Sequence, residues 1–230
     1  MFDLKKHRHI LFELITDIYR SGLGAFLGFK GGTMAYFFSG LDRFSVDLDF
    51  DLLSYDKKEK IFKELPLILS KYGKVKEKKE KKFTLFFLLN YEKEERNIKI
   101  EISKRKNNKE DYTVANFYGT DVKILKEENA FANKLLACTK RKKIAYRDFY
   151  DVYFYVKKGV FANKNIIERE SGKKHKEYLG YLVRFIERNL TNKNILHGLG
   201  ELINEKQKYW IKNNLKKELI NRINYLIDLV

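Results

Sequence analysis

A chain of 230 residues has room for one large domain or two small ones. With 44% hydrophobic and 15% aromatic residues, it is not an intrinsically disordered protein. Its formal net charge of +17, with 18 phenylalanines and 15 tyrosines, points away from cationic partners and towards a polyanion such as nucleic acid, although an AT-biased genome also enriches lysine. A single cysteine, Cys138, excludes an internal disulfide and fits a reducing cytosol, so a cytoplasmic placement is expected. Near the N-terminus the apolar run Ile10-Leu11-Phe12 is cut by Glu13, so neither a secretory leader nor a membrane partner is expected.

In chain order, Ile10, Leu11, Leu14, Ile15 and Ile18 recur at helical spacing and predict an amphipathic helix over residues 7–20. Ala25–Lys30 reads as a short buried strand and Thr33–Phe38 as the first turns of a helix. Between them Gly31 and Gly32 permit positive φ and close approach of a ligand. Thr33 is expected as the N-cap, with the helix start offering N–H groups to a phosphate. A Gly-Gly pair alone often marks no more than a tight turn.

Next, Phe44, Val46, Leu48 and Phe50 alternate with Ser45, Asp47, Asp49 and Asp51, which predicts a strand with one apolar and one acidic face. Same-face neighbours lie roughly 7 Å apart, within reach of one divalent ion or a close pair. The competing reading is a half-exposed edge strand with solubilising acids. A helix over residues 57–71 follows, with a kink or break expected at Pro66. Phe83–Tyr91 and Asn97–Ser103 predict a hairpin joined by the charged turn Glu92–Arg96, and Asp121–Leu125 a last strand. Lys74–Lys82, Lys104–Lys109 and Lys140–Lys143 read as basic surface. In the hairpin, Glu101 lies on the polar face and is the candidate third carboxylate; pairing with Lys99 or Lys104 is the alternative.

Past residue 125 the period turns helical to the end, with no Pro-, Gly- or Ser-rich linker and no internal repeat. Two domains are expected, 1–125 and 126–230. On a helix over Asn129–Lys142, Phe131, Leu135 and Cys138 face inward, and Lys134 lies about 60° from Phe131, at the edge of that stripe. Arg141 sits two turns along the same flank. On the following helix Asp148 and Asp151 share a face. Lys134 at that edge either meets a phosphate or snorkels, and in the second case Arg147 pairs with Asp151 at i,i+4. Its removal is expected to cost little stability.

Gly31-Gly32-Thr33 followed by Arg43-x-Ser45-x-Asp47-x-Asp49 resembles the signature of the AbiEii-type nucleotidyltransferases. These belong to the DNA polymerase β-like superfamily and include toxins of bacterial toxin–antitoxin pairs. The resemblance resumes at Lys134-Leu135-Leu136-Ala137, Arg141 and Arg147-Asp148-x-x-Asp151. It implies an α+β fold: a polymerase β-like mixed sheet with flanking helices, then a C-terminal helical bundle. It also implies a nucleotidyltransferase that uses Mg²⁺ (or Mn²⁺) and moves an NMP from an NTP to an acceptor, RNA such as the tRNA 3′ end. A toxin role and an antitoxin encoded nearby are implied in the same way.

On this reading Asp47 and Asp49, with Glu101, hold metal, and Lys134 and Asp148 join the first two in catalysis. Gly31, Gly32, Thr33, Arg43, Ser45 and Arg141 contact the nucleotide and its phosphates, while Arg147 and Asp151 support the site. Two alternatives stay open. A small-molecule or protein nucleotidyltransferase would need the acids and leave the basic excess unexplained; a non-catalytic nucleic-acid-binding protein would need the charge and gain nothing from the acids.

Overall fold

The computed structural model describes residues 3–92, 96–105 and 111–230. The chain forms two compact units: the residues up to Gly40 with Ser45–Lys126, and Leu41–Phe44 with Glu127–Val230. The short segment Leu41–Phe44 thus belongs with the C-terminal half.

The first unit is built on helix α1 (Leu4–Arg20), strand β1 (Leu27–Lys30), helix α2 (Gly31–Met34, continued by a π turn over Ala35–Ser39), strand β2 (Leu48–Leu52), helix α3 (Lys58–Leu69) and strands β3 (Lys74–Lys81), β4 (Thr84–Glu92), β5 (Arg96–Ser103), β6 (Tyr112–Phe117) and β7 (Thr120–Leu125). The strands make one seven-stranded mixed sheet in the order β3-β4-β5-β2-β1-β7-β6. β2 runs parallel to β5 and β1 parallel to β7, while the other neighbours are antiparallel. Helix α1 starts at Leu4 because the Asp3 carboxylate accepts from the N–H groups of Lys5 and Lys6, both at 3.0 Å. It packs Leu11, Leu14, Ile15 and Ile18 inward, against α3 and β7.

Several local expectations are corrected. The acidic strand begins only at Leu48. Just before it the backbone is claimed by side chains: His7 Nε2 bonds the Val46 carbonyl at 2.9 Å, and the Thr33 hydroxyl bonds the Asp47 carbonyl, so a ladder cannot start there. Thr33 lies inside α2 and is not its N-cap; Lys30 holds that position. Helix α3 runs unbroken through Pro66, its buried Ile61, Leu65, Ile68 and Leu69 outweighing the lost bond to the Phe62 carbonyl.

The charged run at Lys74 is an edge strand whose lysine stems cover aromatic rings, Lys78 Nζ standing 4.2 Å from the Phe62 centroid and Lys81 Nζ 3.9 Å from that of Phe86. Strand β6, unexpected from the sequence, pairs with β7 through a two-residue turn at Tyr118 and Gly119. Residues 93–95 of the expected turn Glu92–Arg96, and Lys106–Lys109 of one basic cluster, lie outside the described residues.

The second unit is helical: α4 (Glu127–Lys140), α5 (Arg147–Lys157), α6 (Lys164–Ser171), α7 (His175–Asn189), α8 (Glu205–Trp210, continued by a π turn over Ile211–Leu215) and α9 (Lys216–Asp228). Helix α4 packs on α5, α6 and α7, and α9 on α5 and α7. Phe131 stacks on Tyr155 at 5.5 Å, and the buried Tyr178 hydroxyl donates to the Leu135 carbonyl at 2.8 Å. Cys138 is a buried core residue. The Phe44 N–H donates to the Leu202 carbonyl at 2.8 Å, which ties the returning segment into this unit. Together the units make the α+β fold expected. No helix among the described residues is long and apolar enough to cross a membrane.

Candidate active site

In the first unit the sheet brings the N-terminal motif together. Register places Lys30 of β1 opposite Asp49 of β2, and Asp49 beside Glu101 of β5. Neighbouring strands lie about 4.8 Å apart, so the Asp49 and Glu101 carboxylates start from adjacent backbone positions. Glu101 is not held by the lysines considered for it: Lys99 Nζ lies 3.8 Å from Asp47 and Lys104 Nζ 2.6 Å from Glu80. Gly31 follows directly on β1 with φ +84°, and a Cβ there would stand 2.3 Å from Asp49 Oδ2 and 2.9 Å from Asp49 Cβ. Only glycine lets the turn and the carboxylate share that space.

Asp47 is turned partly aside, its Oδ1 accepting the Lys99 N–H at 3.3 Å. Thr33 is fully buried, and its hydroxyl reaches the Ser45 hydroxyl at 2.9 Å as well as the Asp47 carbonyl. The side chains of Thr33 and Ser45 therefore bind the acidic segment to the glycine turn. The Thr33 hydroxyl is thus spent inside the unit, while its backbone N–H remains at the start of α2. Asp51, the next acid on the face, is buried and structural. Lys30 Nζ pairs with it at 2.5 Å, and the Tyr112 hydroxyl donates to it across Gly28, where any Cβ would strike the tyrosine ring. Burial, then the Asp51 charge, raises the Tyr112 pKa. Sequence reading missed this group because Tyr112 lies on the unexpected strand β6.

Replacing Gly31 by alanine is expected to lower stability by roughly 1–3 kcal/mol and to displace Asp49, since φ +84° disfavours any Cβ and the carboxylate stands where it would go. Thermal melting together with a transfer assay checks this: both must fall, and a variant with full activity would show that the contact does not position Asp49.

In the second unit the other motif residues form a buried ionic cluster. Arg43 is 2% exposed and grips Asp151 with both forks, Nε to Oδ1 at 2.5 Å and Nη2 to Oδ2 at 2.7 Å, while Nη1 donates to the Phe44 carbonyl at 2.9 Å. Lys134 of α4 reaches Asp151 Oδ2 at 2.7 Å and Asp148 Oδ1 at 3.1 Å. Arg141 Nε lies 2.7 Å from Asp148 Oδ2, an ion pair not aligned as a hydrogen bond. Both aspartates are fully buried, whereas 46% of the Arg141 side chain is exposed.

Arg43, expected to neutralise phosphate, is thus corrected to a buried anchor of Asp151. Among the described residues, Asp151 pairs with Arg43 and Lys134 and not with Arg147, the first residue of α5. Lys134 does not snorkel; it is locked between two carboxylates.

The charges set the protonation states. Burial opposes ionisation of Asp151, but the adjacent Arg43 and Lys134 outweigh it and hold its carboxyl at about 2. Burial would lower the Lys134 ammonium, yet Asp151 and Asp148 raise it above its ordinary value. Three cations face two anions, leaving one positive charge at a cluster whose open side is Arg141.

Residues 13–221 match the family model "Nucleotidyl transferase AbiEii toxin, Type IV TA system". The chain belongs to the AbiEii nucleotidyltransferase family. The AbiEii match spans both motif blocks and identifies the protein as a nucleotidyltransferase. Two solved structures share the fold, each with a TM-score of 0.61. JHP933 from Helicobacter pylori is 18% identical over 98% of this chain and 95% of its own. A "putative nucleotidyltransferase from H. pylori" is 20% identical over 98% of both. No curated protein matches the chain.

No three His, Cys, Asp or Glu side chains among the described residues converge as a ready-made metal site. The donor set nevertheless fits Mg²⁺, a hard cation usually held by one or two carboxylates and completed by substrate phosphates rather than by an all-protein cage. Asp49 beside Glu101, with Asp47 just before the strand, is such a set.

Proposed function

We propose that this AbiEii-family chain transfers an NMP from an NTP to a hydroxyl of an RNA acceptor, with pyrophosphate leaving, in a Mg²⁺-dependent reaction, and that it is the toxin of a pair with a nearby antitoxin. The observation that carries this reading is the seating of Asp49 against the Gly31 turn beside Glu101. Asp47 and Asp49, supported by Glu101, would hold the metal, which when bound supplies charge neutralisation to the triphosphate and the attacking oxygen. Gly31, Gly32 and Thr33 offer backbone N–H groups to phosphate. Ser45 keeps the acidic segment on that turn through Thr33.

Lys134 has three N–H donors, of which two are directed at Asp148 and Asp151. The third, with the half-exposed guanidinium of Arg141, is available for phosphate. Asp148 and Asp151 orient both cations and keep Lys134 charged, with Arg43 fixing Asp151 from behind. The basic excess suits a polyanionic acceptor.

The test is incubation of the purified protein with each labelled NTP in turn, Mg²⁺ and total RNA. One NTP is expected to label RNA, and EDTA to abolish the labelling. Label that enters only protein or small molecules would overturn the RNA acceptor while leaving the transferase itself in place.

A further inference from the structure

The first unit carries a cleft of about 500 Å³ whose residues take no part in the motif blocks. Its walls come from three places. Helix α1 contributes the exposed Lys5, Arg8 and His9 on one face, the π turn contributes Tyr36, and the β6–β7 turn contributes Phe117 and Tyr118. No acid lines it. The aromatic rings form a continuous surface: Phe12 lies 4.9 Å from Phe117 and 5.3 Å from Tyr118, and the Arg8 guanidinium stands 5.9 Å over the Tyr36 ring.

Tyr118 is the unusual member. It has φ +48°, and no other non-glycine residue among those described has positive φ. Positive φ at both central positions is the mark of a type I′ hairpin turn, which Gly119 supplies freely and a tyrosine adopts only at a cost. Burial does not offset that cost, because Tyr118 is 76% exposed. A strained backbone that holds a large ring in the open, at the rim of a basic cleft, points to a ligand for the ring.

We propose that this cleft binds single-stranded RNA, with a base stacked on Tyr118 and the neighbouring phosphates on Lys5 and Arg8. Aromatic faces for bases beside cations for the backbone are what a single strand requires, whereas a duplex hides its bases. A volume of this size admits a nucleotide unit. The inference rests on the reading of RNA as acceptor, and binding is measured without NTP so that the two can fail separately.

The experiment is fluorescence anisotropy of an end-labelled single-stranded RNA decamer titrated with the full chain and its variants, with melting curves in parallel. Tyr118→Asn, which suits the left-handed turn, is expected to weaken binding by roughly tenfold or more while melting at or above the parent temperature. Tyr118→Trp, which keeps a stacking face, should bind as the parent does. Arg8→Ala should weaken binding and make the salt dependence shallower by about one counterion. Unchanged binding in both Tyr118→Asn and Arg8→Ala overturns the proposal, as does equal competition by duplex RNA or by free UMP. If the single strand binds through the cleft yet receives no nucleotide, the cleft stands and the RNA-acceptor reading falls.

Discussion

Changing Asp47 and Asp49 together to asparagine is expected to cut nucleotide transfer by on the order of a thousandfold or more, because metal-based charge stabilisation contributes several kcal/mol to such a transition state. The fold should survive. Asparagine can still accept the Lys99 N–H that Asp47 takes at 3.3 Å, and it matches aspartate in size against the Gly31 turn. Loss of Asp49's charge also relieves repulsion with its register partner Glu101. The melting temperature should therefore stay level or rise. Transfer assays with Mg²⁺ and calorimetry together decide the matter: a correctly folded double variant that still transfers would remove the metal-site assignment.

Lys134→Met is expected to lower stability by about 3–5 kcal/mol, which in a protein of this size is a fall of about 6–20 °C. The sequence alone suggested the opposite, since an edge lysine loses little when its charge is removed. Here the ammonium bridges two fully buried carboxylates, and its removal takes the buried partner from Asp148, leaving that charge only the half-exposed Arg141. Adding Asp148→Asn to Lys134→Met should recover more than half of the loss, because Arg43 still balances Asp151 and the freed Arg141 is half-exposed. If Lys134→Met melts like the parent, the cluster is not coupled as its geometry indicates.

The same cluster predicts acid sensitivity. Asp151 is held at about 2 against an ordinary 3.8, so it binds protons more weakly in the folded chain than in the unfolded one. The stability it confers is complete above the ordinary carboxylate value and is lost as pH falls from about 4 towards 2, on the order of 2 kcal/mol in all. Asp151→Asn should flatten that acid limb of a pH–stability curve; an unchanged limb would place the acid titration elsewhere.

What the sequence revealed was what is local. The Gly-Gly turn, the alternating acids and the Lys134 and Asp148 blocks are each contained within a few turns or one strand, and their periodicity shows on inspection. The role of Arg43 was hidden because its partner Asp151 lies 108 residues away. Nothing in the spacing distinguishes a phosphate-binding arginine from a buried one. Strand β3 was hidden by composition, since its lysines read as solvated surface until β4 provides a ladder for them. Strand β6 was hidden by its turn, where tyrosine occupies a position that usually signals itself with Asn or Gly. Thr33 could not be placed because capping and inward hydrogen bonding use the same hydroxyl.

Leu41–Phe44 has a consequence for how the protein is made. At synthesis rates of roughly 5–20 residues per second, Arg43 leaves the ribosome on the order of 5 to 20 seconds before Asp151. Until then its guanidinium lacks Asp151, and Leu41–Phe44 lacks the rest of the unit to which it belongs. A chain cut after Lys126 would keep every strand of the sheet and still lack that anchor. Leu41–Phe44 is therefore completed only once the C-terminal half has been translated, although it is among the first residues made.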